Sequence, residues 1–185
     1  MPSKEILSQC QQFDELAKSI KAPLAGNITI ALIPTIGPYL LPHILPKLNQ
    51  NFPDLTCYFR VEKTQQCLEL LHSGKIDAAI LALPLPKNNT NSQIKDIKLY
   101  FEQFYLACNK NHQLIKNNIK NIDNDCIKKQ KLMLLEEGHC LRDQSIDICN
   151  LVDNNNKLIS QFQATCLESL RAIIATDPSH TSIMP

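Results

Sequence analysis

The sequence predicts an α/β fold in two lobes, and three observations predict it. Between Asn27 and Leu83, short apolar runs alternate with stretches of helical spacing in the order strand, helix, strand, helix, strand. The last of these runs, Asp77 to Leu83, is almost wholly apolar, as in a central parallel strand covered on both faces. Pro84-Leu85-Pro86 then leads into Lys87-Asn88-Asn89-Thr90-Asn91, the clearest break in the chain, which reads as a crossing between lobes.

Each element has its own reason. Residues 4–21 place Ile6, Leu7, Cys10, Phe13, Leu16, Ala17 and Ile20 on one side of a helix, a stripe that needs a packing partner. Asn27 to Ile33 reads as a strand, and Pro34-Thr35-Ile36-Gly37-Pro38 as a strand-to-helix corner. Tyr39 to Phe52 has helical spacing at Leu41, Ile44, Leu45 and Leu48, but Pro42 and Pro46 remove hydrogen bonds and predict an irregular turn or kink. Leu55 to Val61 is a strand. Thr64 is expected to cap a helix through Leu71, closed by Ser73-Gly74.

Beyond the break, Leu99 to Cys108 is expected as one strand of the second lobe and Lys131 to Leu135 as another. Asn111 to Gln130 is polar and asparagine-rich, without a readable period. Leu141 to Val152 is expected as a helix, Asp153-Asn154-Asn155-Asn156 as a loop and Ile159 to Ala164 as a strand. Thr165 or Cys166 starts a helix to Ala175, and Thr181 to Met184 forms a last strand.

The bulk properties are those of a globular protein. The chain has 185 residues, 44% of them hydrophobic and 20% charged, enough for one ordinary domain or two small lobes. Its formal net charge is +1, which provides no electrostatic footprint for nucleic acid or an anionic membrane. The N-terminus lacks the apolar core of a signal peptide, and no apolar run is long enough to span a bilayer. Eight cysteines without a secretion signal imply reduced thiols in the cytoplasm. No Cys/His spacing resembles a metal site, so neither a metal nor a cofactor is expected. Cys10, Cys57, Cys67, Cys108, Cys126 and Cys166 are read as packing residues.

Leu132-Met133-Leu134-Leu135 runs into Glu136-Glu137-Gly138-His139-Cys140-Leu141-Arg142-Asp143-Gln144, and Gly138 ends the strand. This places the Cys140 thiol at a strand-to-helix corner, where unpaired N–H groups and the helix dipole favour the thiolate. His139 and Arg142 add positive potential. Most cysteines only fill space, and what distinguishes this one is its corner, its two neighbours and a second cysteine, Cys149, on the following helix. Thr35 and Thr64 fall at the carboxyl ends of strands, where such sheets bind ligands. From their own pattern they read as ordinary caps or turns.

The run Glu137-Gly138-His139-Cys140-Leu141-Arg142-Asp143-Gln144 with Cys149 resembles the redox loop of the peroxide-responsive branch of the LysR-type transcriptional regulators. Ile33 to Ile44, Thr64-Gln65-Gln66, Leu71 to Asp77 with the strand to Leu83, and Ala164 to Arg171 resemble LysR-type effector domains more widely. The resemblance runs from about Gly26 to Ile174 and thins between Pro84 and Lys131.

The resemblance implies two Rossmann-like lobes of a periplasmic-binding-protein-like effector domain. Residues 1–25 would be a linker-helix remnant, 26–84 regulatory lobe I, 85–94 the interlobe crossing and 95–185 lobe II. It implies a chain lacking the DNA-binding domain and the C-terminal part of both lobes. The family's glycine-rich turn before the last strand is here Asp177-Pro178-Ser179-His180.

It further implies that the domain senses hydrogen peroxide for a transcriptional activator and is not an enzyme. Cys140 would be the attacking thiol and Cys149 the resolving one. Thr35, Thr64, His139 and Arg142 would form the peroxide pocket. The intact regulator would be a homo-oligomer, dimer or tetramer, that meets promoter DNA and RNA polymerase through its other parts and is reset by a thiol reductant. The alternatives are a small-metabolite effector domain, a thiol peroxidase and a non-functional remnant.

The spacing of the two cysteines makes a physical demand. Nine helical residues advance about 900° and about 13 Å, so the thiols point to opposite faces. A disulfide needs Cα atoms within about 7 Å. Closing that bond requires the helix to unravel.

Overall fold

A computed structural model describes residues 24–85, 94–119, 122–149 and 159–185. The expected helix over residues 4–21, most of the crossing and the asparagine loop at residues 153–156 lie outside the described residues. The chain forms two compact units that divide between Leu81 and Ala82.

The first unit holds β1 (Gly26–Leu32), α1 (Gly37–Asn51), β2 (Leu55–Val61), α2 (Thr64–His72) and β3 (Ala78–Ile80). Its sheet runs β2-β1-β3 and is parallel throughout, with β1 paired to β2 from Gly26↔Leu55 to Leu32↔Val61. Ala31, Cys67 and Ile76 form its buried centre. Pro38, Pro42 and Pro46 recur every four residues along α1 and all are exposed, so the helix continues through them with its missing hydrogen bonds on the solvent side. Ser73 is the C-cap of α2, and Gly74 follows at φ +64°, where only glycine is unstrained.

Two expectations for this unit need correction. Thr64 is the first helical residue, not the cap. Lys63 is the N-cap, and its backbone N–H donates to Gln66 Oε1 at 3.1 Å. The strand expected over Asp77–Leu83 is only Ala78–Ile80, a half-buried edge strand rather than a central one. Asp77 turns its carboxylate onto the Thr29 N–H at 2.7 Å, so its side chain takes the donor at which the strand would begin.

The second unit holds β4 (Tyr105–Cys108), α3 (Gln113–Lys116), α4 (Asn124–Ile127), β5 (Leu132–Leu135), α5 (Cys140–Ile148), β6 (Ile159–Ala164), α6 (Leu167–Thr176) and β7 (Thr181–Met184). The sheet order is β4-β7-β5-β6, with β4 antiparallel to β7 and the others parallel. All four residues of β5 are buried, as a strand between two neighbours requires. Alternation then divides the core. Met133 and Leu135 pack with Leu141, Leu167, Leu170 and Ile174, whereas Leu132 packs with Ile127, Cys149 and Ile183.

Here too the structure corrects the expectation. The strand expected over Leu99–Cys108 forms only at Tyr105–Cys108, because its partner β7 offers four residues. Ile97, Leu99, Tyr100 and Phe101 before it are exposed and belong to no strand. The asparagine-rich stretch contains two single-turn helices, α3 and α4. The helix after the corner starts at Cys140 and ends at Ile148, with Cys149 as its C-cap rather than an interior residue.

Candidate functional site

The corner at the end of β5 is built from backbone constraints. Glu136 N–H donates to Ala164 C=O at 2.9 Å, which extends the pairing with β6 by one residue. Glu137 and Gly138 then turn, with Gly138 at φ +87°. His139 is the N-cap of α5 and Cys140 its first residue. Cys140 is half-buried and carries a thiol. It therefore sits where the helix dipole and unpaired N–H groups favour a thiolate.

Arg142 is buried one turn further on, and its Nη1 donates to the Leu135 C=O at 3.2 Å. The guanidinium thus ties the first turn of α5 to the end of β5 while keeping a positive charge beside the corner. His139 is buried as well, with Nε2 at 3.8 Å from Glu136 Oε1.

Cys149 closes the same helix, its N–H bonded to Ser145 C=O at 3.2 Å. Its thiol is fully buried beside Ile127, Leu132 and Ile183, and burial pushes it above the ordinary thiol range. Leu141, at one end of α5, packs in the cluster with α6, and Cys149, at the other end, packs in the opposite cluster. The two cysteines belong to one intact helix, about 13 Å long at 1.5 Å per residue.

Thr35 and Thr64 belong to the first unit. Each follows its strand by three residues, and the strand ends Leu32 and Val61 are register partners. Both threonines are therefore brought to the carboxyl edge of one parallel sheet, and both are buried. Thr64 Oγ1 has no hydrogen-bond partner. A buried hydroxyl left in that state costs about 1–3 kcal/mol, which a small polar ligand or a water would recover. The structure thus gathers Thr35 with Thr64 in one unit, and His139, Cys140 and Arg142 in the other.

Sequence reasoning missed Cys166. It was expected as packing, and it is instead the half-exposed N-cap of α6, with Sγ at 3.1 Å from Ser169 Oγ and accepting from the Ser169 N–H at 3.4 Å. The available signal was its place at a helix start three residues before a serine. Among the described residues, no helix is long and apolar enough to cross a membrane, and no group of three His, Cys, Asp or Glu side chains could hold a metal ion.

Residues 21–176 match the LysR substrate binding domain, and the chain belongs to that family. Within it the chain is OxyR-like. It is 36% identical over 173 residues to the DNA-binding transcriptional dual regulator OxyR of Escherichia coli K12, covering 94% of this chain and 54% of that protein. It therefore spans about half the length of the curated relatives it matches. A crystal structure of the reduced form of OxyR superposes with a TM-score of 0.73 at 38% identity, covering 88% of this chain and 71% of that one. The oxidized form of OxyR gives 0.69 at 39% identity, over 87% and 72%. The mixed α/β fold with parallel sheets is that of the OxyR regulatory domain, the periplasmic-binding-protein-like effector fold.

Proposed function

We propose that this chain is the hydrogen peroxide-sensing regulatory domain of an OxyR-like transcriptional activator of oxidative-stress genes, switched by a Cys140–Cys149 disulfide. The observation that carries this reading is the placement of Cys140 at the first residue of α5 with Cys149 capping the same helix from the opposite core.

The chemistry balances on the two thiols. The Cys140 thiolate attacks one peroxide oxygen, the O–O bond breaks, and hydroxide leaves with a sulfenic acid on Cys140. The Cys149 thiol then attacks that sulfur, forming the disulfide and releasing water. Two electrons pass from the thiols to the peroxide. Within the second unit, His139 would donate to a peroxide oxygen and Arg142 would stabilise the thiolate and the leaving hydroxide, while Thr35 and Thr64 are carried as peroxide-pocket residues by the family resemblance alone. The disulfide demands a second arrangement of residues 140–149, and that remodelling is the signal.

The residue ranges 26–84 and 95–185 would be the two regulatory lobes. The intact regulator would act in the cytoplasm as a dimer or tetramer, reach promoter DNA and RNA polymerase through its other parts, and be reset by a thiol reductant. It would use peroxide stoichiometrically rather than as an enzyme.

A second reading has one observation in its favour. The orphaned Thr64 hydroxyl at a ligand-binding sheet edge suits a small polar metabolite. Peptide mapping after one equivalent of hydrogen peroxide, with circular dichroism, separates the two. A Cys140–Cys149 linked peptide accompanied by loss of helix supports the peroxide switch. Absence of that peptide, or linkage with α5 intact, removes it.

A further inference from the structure

We propose that Cys166 is a second redox thiol of this unit, placed to compete with Cys149 for the oxidised Cys140 and to form a Cys140–Cys166 disulfide across the edge of the sheet. This rests on the reading of Cys140 as the thiol that peroxide oxidises.

The feature is a pair of thiols on one sheet edge. β5 and β6 are parallel neighbours in register at Leu135↔Ala164, and the Glu136 N–H to Ala164 C=O bond holds the two chains together one residue further. From that bond, four residues lead through the Gly138 turn to Cys140 and two lead to Cys166. Both thiols stand at helix starts, Cys140 as the first residue of α5 and Cys166 as the N-cap of α6. The next residue in each case, Leu141 and Leu167, is buried in the same cluster. The starts of the two helices therefore border the same core at the carboxyl ends of two neighbouring strands.

Competition with Cys149 follows from what must move. Cys149 is fully buried, and burial holds its thiol protonated. It reaches Cys140 only when α5 unwinds. Cys166 is half-exposed, and the Ser169 hydroxyl and N–H hold its thiol below the ordinary range, so more of it is thiolate at neutral pH. It reaches the corner by adjustment of the Gly138 turn and the first turn of α5, with the rest of the helix kept. The step balances as before: the Cys166 thiolate attacks the sulfenic sulfur, hydroxide leaves, and the electrons have already passed to peroxide.

The consequence is a disulfide without the large rearrangement. A Cys140–Cys166 bond protects Cys140 from sulfinic acid while keeping α5 close to its reduced arrangement, so it consumes peroxide without producing the full signal.

The test uses the whole chain, hydrogen peroxide and mass mapping of linked peptides, with dimedone present in parallel to trap sulfenic acid. In Cys149→Ser, a Cys140–Cys166 linked peptide is expected with helix content retained. In the unmodified chain the same peptide is expected beside the Cys140–Cys149 one, and it disappears in Cys166→Ser, whose serine keeps the α6 cap. If dimedone labels Cys140 while Cys166 remains an alkylatable thiol in both backgrounds, this proposal is overturned and the peroxide reading stands. If Cys140 takes up neither dimedone nor a partner, both fall.

Discussion

Replacing Leu141 with alanine tests whether α5 gives up its packing on oxidation. Leu141 is 4% exposed and packs with Met133, Leu135, Leu167 and Leu170. A buried Leu→Ala substitution costs about 2–5 kcal/mol. If the Cys140–Cys149 disulfide unwinds α5, Leu141 has left the cluster in the oxidised form, and the cost falls on the reduced form alone. A destabilised reduced form makes reduction less favourable, so the potential falls. At about 30 mV for 1.4 kcal/mol in a two-electron couple, the midpoint drops by about 40–110 mV. The milder Leu141→Val, worth about 1 kcal/mol, gives about 20 mV. The assay is equilibration in thiol–disulfide buffers with mass quantitation of the linked peptide. Leu170→Ala is the control, because Leu170 lies in the same cluster on α6, which the disulfide leaves in place. An unchanged midpoint in Leu141→Ala, or an equal drop in Leu170→Ala, refutes the unwinding argument.

Four further outcomes are expected. Cys140→Ser abolishes the fast reaction with hydrogen peroxide in stopped-flow measurements, whereas loss of both Cys149 and Cys166 leaves a persistent sulfenic acid that dimedone traps. Alkylation at pH 8, followed by mass spectrometry, labels Cys166 early and Cys67 late, because burial and the Glu62 charge push the Cys67 thiol up to about 11; the reverse order contradicts the geometry. Asp177 is held at about 2, chiefly by the hydroxyl and N–H of Ser179 and then by His180. Its contribution to stability is therefore present above the ordinary carboxylate range and is lost as pH falls toward 2, and Asp177→Asn flattens denaturation midpoints measured across that window. Finally, with a net charge of +1, this 185-residue chain gives no salt-sensitive, sequence-selective gel shift with duplex DNA.

The legible parts of the fold were those in which local pattern and tertiary demand agree. Leu132–Leu135 is contiguous and apolar because β5 has a neighbour on each side, and Gly138 marks its end because the turn there needs positive φ. The illegible parts were decided by distant partners. Leu99–Phe101 has the composition of a strand but meets no partner strand among the described residues. Ala78–Ile80 begins only after Asp77, whose carboxylate takes the Thr29 N–H. At the site, the corner position of Cys140 was readable from a glycine and a change of period. The role of Arg142 was only half readable, because the acceptor for its guanidinium, the Leu135 carbonyl, is fixed by the turn between them. Cys166 looked like filler because its place just beyond the strand next to the one that leads to Cys140 depends on the register of β5 with β6, which no local pattern encodes.

The way α5 is held bears on the proposed switch. A helix of nine residues is unstable alone in water, since nucleation consumes most of what its hydrogen bonds return. Its attachments include Leu141 in one core, Ile146 and Cys149 in the other, Arg142 on the Leu135 carbonyl, and the Gln144 amide on the Leu83 carbonyl at 3.1 Å. A covalent bond between its two ends cannot form while the helix stands, and drawing the cysteines together strains these attachments as a group rather than one by one. The response is therefore closer to two-state than to gradual. The Gln144 contact gives the change a direction, because Leu83 opens the segment that leads into the proline and asparagine break. If oxidation unwinds α5, the Gln144–Leu83 bond is lost with it, and the first consequence outside the helix falls on the stretch of chain at the start of the second unit.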